Sequence, residues 1–181
     1  DVLSGVPGLF ARSRFGGDEV RLSIRGSGIT QTFGIRGVRV LRDGFPETEA
    51  SGFTNPELID FLAADYVEVY RGANALQYGS ATLGGAINFV SKTGYSAEPF
   101  LLRVEGGSDG YVRPQLSAGA VFDNGLDGFV SVSGIHTDGF RDNAEQETIR
   151  GYANLGYRQG DGETRLHLTL QDNHLELPGP L

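Results

Sequence analysis

The chain has 181 residues and a net charge of −8, and its 28 glycines and 7 prolines follow no G-X-Y period, so it is neither collagen-like nor a helical bundle. The acidic balance argues against a nucleic-acid partner, whose phosphates demand a basic face. Without cysteine there are no disulfides or thiolate metal sites. No apolar run approaches the length of a spanning helix, which leaves membrane β-strands open, since those need only short alternating segments. The chain starts at Asp1, contains no methionine, and reads as an excerpt from a longer mature protein.

In chain order, residues 1–10 predict a short helix or turn ended by Pro7-Gly8. Val20, Leu22 and Ile24 alternate with Arg21, Ser23 and Arg25, a strand with one buried face. A polar, glycine-bounded loop covers 27–34. Residues 37–41 alternate again, and Arg42-Asp43-Gly44 is a turn of the hairpin type. A second polar loop, 47–55, leads to Asn55 as N-cap and Pro56 at the first position of a short helix reaching Phe61, with Leu58, Ile59 and Leu62 as its apolar stripe.

The stretch 67–92 is the most informative. It reads as a strand (Val67, Val69), a turn at Arg71-Gly72, a loop closing at Tyr78-Gly79-Ser80, a Gly84-Gly85 pair and a second strand over 86–90. Such glycines permit positive φ and close backbone approach. The loop is not a phosphate cradle. Gly85 and Ala86 stand where a Walker loop needs lysine, and the stretch holds no G-x-G-x-x-G.

Beyond Gly94 there are five alternating runs, at 100–105, 112–122, 128–137, 148–158 and 163–171, separated by segments rich in Gly, Asp and Asn. In the last, Leu166, Leu168 and Leu170 oppose Arg165, His167, Thr169 and Gln171. In the fourth, Ile149, Ala153, Leu155 and Tyr157 oppose Thr148, Arg150, Tyr152 and Asn154. The third is mixed, with Phe129 and Ile135 sharing parity with Ser131 and Ser133. Two settings fit an oily and a polar face: a soluble sandwich with the oily face inside, or a membrane barrel with it outside. The separators 123–127 and 159–162 are shorter than 138–147 and 173–181, in the manner of short inner turns and longer outer loops.

Catalytic material is sparse. His136, His167 and His174 show no H-x-x-x-H pairing, and nothing has zinc-ligand spacing. His167 falls on the polar face and reads as a wall residue. Arg25 and Arg71 each end a strand just before a glycine, which is compatible with an ordinary solvated strand end.

The run V-E-V-Y-R-G…Y-G-S…G-G-A-I-N, preceded in order by LSGVPG, LSIRG and VLRDGFP, resembles the plug domain of TonB-dependent outer-membrane receptors. These are plugged barrels of roughly 22 strands that import iron chelates and other scarce nutrients. The resemblance implies an α+β plug domain over 1–94 and, over 95–181, the first antiparallel strands of a truncated transmembrane β-barrel in a Gram-negative outer membrane. Within the family, FGIRG, the NFV strand end and LPGPL look most like receptors for ferric citrate and similar ferric siderophores. Cobalamin, haem, sugar or nickel complexes are the alternative cargoes, and a soluble β-sandwich binding module or a surface enzyme the alternative classes.

The resemblance further implies that the apical plug loops hold the ligand. In this chain those loops offer Thr30, Gln31, Thr32, Ser51 and Thr54 as neutral donors with Arg36 close by, and Arg141 stands in an outer loop. An anionic chelate is served by arginine, and Glu47 and Glu49 depart from such a pocket. Arg25 and Arg71 match arginines that lock the plug to barrel-wall glutamates. No cofactor is implied, iron entering only within the cargo. The partners implied are the chelate, outer-membrane lipid, and TonB with ExbB and ExbD, engaged through a TonB box that is missing ahead of Asp1.

Overall fold

The computed structural model describes residues 3, 5–13, 20–29, 34–49, 51, 53–55, 59–80 and 82–176. The chain divides into two compact units, Asp1–Ile59 with Tyr66–Ser91, and Asp60–Asp65 with Lys92–Leu181.

In the first unit, β1 (Leu9–Ser13) pairs antiparallel with β2 (Val20–Ile24). Leu22 and Ile24 are buried, as their alternation requires, and Ser23 between them is buried too. β1 begins at the end of the stretch 1–10, where the sequence predicts a short helix or turn; its Leu-Phe-Ala-Arg-Ser run has no period to announce it. A four-stranded sheet in the order β4-β3-β6-β5 forms the body. Its strands are β3 (Val38–Arg42), β4 (Phe45–Pro46), β5 (Ala64–Arg71) and β6 (Gly85–Ser91). β6 runs parallel to β3, from Val38 opposite Gly85 to Arg42 opposite Phe89. Ala86, Ile87, Asn88 and Phe89 are all buried, the continuous burial expected of a central parallel strand.

The hairpin predicted at Arg42-Asp43-Gly44 is present. Asp43 and Gly44 have φ of 51° and 82°, the left-handed pair of a type I′ turn. The Asp43 carboxylate accepts hydrogen bonds from Ser91 N (2.8 Å) and Ser91 Oγ (2.7 Å), and Gly44 N donates to Asn88 Oδ1 at 2.9 Å. The turn therefore sutures the end of β6 to β3.

Between β5 and β6 the expected loop is a 3-10 helix, Gly72–Tyr78. Ala75 drops into a cluster with Leu41 and Ala86, and Tyr70 meets Tyr78 edge-on at 4.9 Å. Hydrogen bonding to Tyr78, then to Glu68, raises the Tyr70 phenol above its ordinary range. The Gly84-Gly85 pair has the role read from sequence. A Cβ on Gly84 would lie 2.7 Å from Ser27 Cβ and 2.9 Å from the Ile24 carbonyl, and one on Gly85 would strike the Tyr70 carbonyl oxygen.

Of the helix expected from Pro56 to Phe61, residues 56–58 lie outside the described residues. Phe61–Ala63 forms a 3-10 turn capped by Asp60, whose carboxylate accepts from Leu62 N at 3.0 Å.

The second unit is an antiparallel meander in the order β11-β10-β9-β8-β7. Its strands are β7 (Leu101–Gly106), β8 (Val112–Val121), β9 (Leu126–Thr137), β10 (Gln146–Gln159) and β11 (Gly162–Leu175). All five alternating runs are strands. Their burial is inverted relative to a water-soluble sheet. Leu102, Val104, Leu116, Val130, Val132, Ile149, Leu155, Leu166, Leu168 and Leu170 are exposed, whereas Gln115, Ser117, Asp127, Ser131, Ser133, Thr137, Thr148, Arg150 and Asn154 are buried. The mixed parity of β9 is real: Phe129, Ser131, Ser133 and Ile135 all point inward, leaving valines and glycines outside. Phe100, Phe122 and Tyr157 are exposed at one end of the sheet, where membrane barrels carry an aromatic girdle.

The polar face is covered by two short segments of its own unit. Gln115 Nε2 donates to the Leu62 carbonyl at 3.1 Å, Ser133 Oγ to Asp60 Oδ2 at 2.9 Å, and Lys92 N to the Ala63 carbonyl at 2.9 Å. Asn154 Nδ2 donates to the Lys92 carbonyl at 2.6 Å, and Asp127 Oδ1 accepts from Gly94 N at 3.0 Å. Behind these, Arg165 holds Asp127 bidentately, at 2.9 and 2.7 Å, and Asn154 Oδ1 at 2.8 Å. Asp127 is 0% exposed, so this is a buried ion pair, the kind that is costly to break from one side.

Two substitutions test these packing claims. Gly85→Ala is expected to destabilise the first unit by roughly 1–3 kcal/mol, read as a lower denaturation midpoint; an unchanged midpoint would refute the close approach. Asp127→Asn is expected to cost about 3 kcal/mol and to speed hydrogen exchange at Gly94. Wild-type protection of that amide would show that the carboxylate is not what holds the segment.

Candidate ligand loops and arginine pair

The two polar loops of the first unit are joined by a bridge. Ile35 N donates to the Thr54 carbonyl at 2.9 Å and Thr54 N to the Ile35 carbonyl at 3.2 Å, both residues being buried. Glycine lets the loops close. Gly34 lies against Phe53, where a Cβ would approach its side chain to 3.2 Å, and Gly28 lies against the Arg36 carbonyl. The second loop is braced from within, Glu49 N donating to the Phe53 carbonyl at 2.8 Å and Phe53 N to Ser51 Oγ at 3.4 Å.

This closure brings three of the sequence-predicted residues, Arg36, Ser51 and Thr54, onto one pair of loops. They do different things. Arg36 is exposed and its guanidinium stands 5.3 Å from the Phe53 ring centroid, a cation–π arrangement that presents a charge beside an aromatic face. Ser51 is exposed, its hydroxyl 3.4 Å from Glu49 Oε2. Thr54 is turned inward, with its hydroxyl 3.3 Å from that of Thr48, so it braces the loop and does not present a donor to solvent. Thr30, Gln31 and Thr32 lie outside the described residues.

Glu47, which counted against an anion site in the sequence, is taken up by Arg42 at 2.9 Å. Its charge is thereby offset within the loop base. Phe53 is the residue that sequence reasoning missed; nothing in a single aromatic inside a polar run distinguishes a platform from a plain anchor.

Arg25 and Arg71 converge on one segment. Arg25 N donates to the Gly8 carbonyl at 2.9 Å, and Arg71 Nη1 donates to the Pro7 carbonyl at 2.8 Å. Arg25 has φ of 52°, uncommon for a non-glycine residue, and its Nη1 would lie 3.5 Å from a Cβ on Gly72. Both side chains are exposed and, among the described residues, neither meets a carboxylate within ion-pair distance. Arg141 belongs to the second unit. It lines a cavity of about 360 Å³ with Asp138, Phe140, Asp142, Glu145 and Glu176, an acidic wall that disfavours an anionic ligand.

Residues 1–86 match the family model described as TonB-dependent Receptor Plug Domain. The chain is 36% identical over 91 residues to the hemin receptor of Yersinia enterocolitica, covering 49% of this chain and 12% of that protein. It is 30% identical over 143 residues to the vitamin B12 transporter BtuB of Vibrio vulnificus, covering 77% of this chain and 22% of that protein. Among solved structures, the ferric citrate transporter FecA in its unliganded form superposes with a TM-score of 0.77 at 21% identity, covering 98% of this chain and 29% of that one. The pyoverdine receptor FpvA of Pseudomonas aeruginosa, bound to pyoverdine, gives 0.69 at 24% identity over 92% of this chain and 24% of that one. The chain therefore spans under a third of each of these proteins. With a matching plug, five antiparallel strands turned oily side out and the fold shared with FecA and FpvA, the chain belongs to the TonB-dependent receptors of the Gram-negative outer membrane.

Proposed function

We propose that the protein is an importer, not an enzyme, and that its cargo is a ferric siderophore of the ferric-citrate-like class, iron arriving only inside the chelate. The observation that carries the importer reading is the inverted second unit, apolar outside and polar inside, following a plug-type domain. Such strands form a wall around a polar lumen. An outer membrane offers no ATP, so uphill uptake draws its work from TonB with ExbB and ExbD, and the plug is displaced to open the path. On this reading residues 1–94 act as the plug and 95–181 begin the wall.

The residues supporting an anionic chelate are Arg36 on its Phe53 platform and Glu47, whose charge Arg42 offsets. Charged hydrogen bonds to a chelate carboxylate suit arginine, whose fork matches its geometry. Haem is the second reading, favoured by the hemin-receptor relative and by the flat face of Phe53. Arg25 and Arg71 serve as the lock, since arginines enclosed in a lumen require carboxylates. The segments 60–65 and 92–94 stay with the wall when the rest of the plug moves, because their hydrogen bonds are made to β8, β9 and β10.

A receptor-deleted strain rescued by the gene carrying this chain is expected to grow on ferric citrate as sole iron source. Growth on haemin alone would transfer the assignment to haem. Arg36→Ala is expected to lower chelate affinity roughly ten- to a hundred-fold, the loss of one charge-assisted contact; binding measured by fluorescence quenching at wild-type strength would remove Arg36 from the site. An Arg25→Gln, Arg71→Gln double variant is expected to show frequent conductance openings in planar bilayers. A silent, wild-type trace from a correctly folded double variant would discard the lock.

A further inference from the structure

At the end of the β9–β10 hairpin a mixed donor set stands outside everything assigned above. His136 on β9 is directly opposite Glu147 on β10, so their side chains share one face of the sheet. Glu145 joins them, and one ligand atom from each of the three lies within 4.8 Å of the others. On the far side of Glu147, His174 of β11 occupies the same cross-strand row.

The separations within the set are informative. Glu147 Oε1 is 3.4 Å from His136 Nδ1, and Asp138 Oδ1 is 3.5 Å from His136 Nε2. Both exceed the roughly 2.7–3.2 Å of an N–H···O bond. Donors that share a tetrahedral ion at about 2.0–2.1 Å stand about 3.3–3.4 Å apart. The His136–Glu147 pair thus has the spacing of two ligands on one ion, and a carboxylate oxygen of Glu145 lies within 4.8 Å of both, while Asp138 faces the opposite ring nitrogen. One imidazole with two carboxylates selects a transition metal of the zinc or manganese kind over calcium or magnesium, which prefer all-oxygen shells. The His136 and Glu147 side chains are 46% and 61% exposed, at the end of the hairpin where the strands give way to the 138–145 loop.

We propose that His136, Glu145 and Glu147 bind a divalent transition-metal ion that clips the two ends of the 138–145 loop together. The ion is a resident of the hairpin and not the transported cargo. Holding Glu145 to His136 shortens the free span of the loop and fixes the cavity that Arg141 lines. This holds whichever chelate the receptor carries.

The test uses the whole receptor expressed from its gene, purified in detergent, stripped with a chelator and titrated with Zn²⁺ by calorimetry. One saturable equivalent is expected, with at least a tenfold loss of affinity in both His136→Ala and Glu147→Gln. In the wild type, Zn²⁺ is expected to slow hydrogen exchange across 138–145, and in the double variant to leave it unchanged. Absence of saturable binding, or equal affinity in the double variant, overturns the site. Both substitutions lie on an exposed face, and a wild-type melting profile of the stripped variants establishes that any loss is of ligands and not of fold.

Discussion

The structure of the second unit depends on one charge pair kept from water. Asp127 is fully enclosed, and a carboxylate in that position is tolerable only with a cation and further donors to satisfy its oxygens. Arg165 supplies two bonds from β11, and Gly94 N a third. Arg165 also reaches Asn154 on β10, which in turn grips the Lys92 carbonyl. One pair thus ties together β9, β10, β11 and the segment that leads into the strands. The geometry admits no bulk: a Cβ on Gly94 would lie 2.9 Å from both Asp127 Cβ and Gly128 N, and one on Gly156 would run into the Arg165 guanidinium. Glycine at these two positions is what lets the charges approach.

Much of this architecture was legible as periodicity. Of the runs that form β7 to β11, those of β10 and β11 alternate most plainly because each face meets a different medium, β9 being mixed, and such a pattern survives whichever medium lies on which side. That same symmetry is why alternation could not decide between a sandwich and a barrel; burial decides it, with Leu166, Leu168 and Leu170 outside and Asp127, Ser131 and Arg150 inside. The type I′ turn was legible because Asp-Gly between alternating residues satisfies two left-handed positions. Gly84-Gly85 was legible as a close approach, though not what it approaches.

Other features were not readable because their causes are non-local. β1 exists because β2 offers it an edge, and its own residues carry no period. The 3-10 helix over Gly72–Tyr78 is held by Ala75 fitting between Leu41 and Ala86, which come from two other strands. The Asp60–Asp65 segment lies in sequence amid the first unit yet sides with the second, through Gln115, Ser133 and Lys92 at distances of tens of residues along the chain. Among the ligand candidates, Ser51 and Thr54 are readable as members of one polar loop and Arg36 as lying close to the other, but only the Ile35–Thr54 bridge separates the inward Thr54 from the outward Arg36. The histidine–carboxylate set needs the register of the hairpin, which no count along the sequence supplies.

The distribution of bonds also bears on how such a chain comes apart. In the first unit the Asp43 turn binds β3 to the last residue of β6, so pulling on one strand loads the other through three hydrogen bonds at 2.7–2.9 Å. One residue beyond Ser91 the bonding partners change: Lys92 answers to Ala63 and Asn154, and Gly94 to Asp127. The backbone passes from one bonded set to the other across the single peptide link between Ser91 and Lys92. A similar change falls at Asp60 and again after Asp65, where the contacts switch units. Charge-assisted bonds among Asp127, Arg165 and Glu163 sit on the second-unit side of the junction at Lys92.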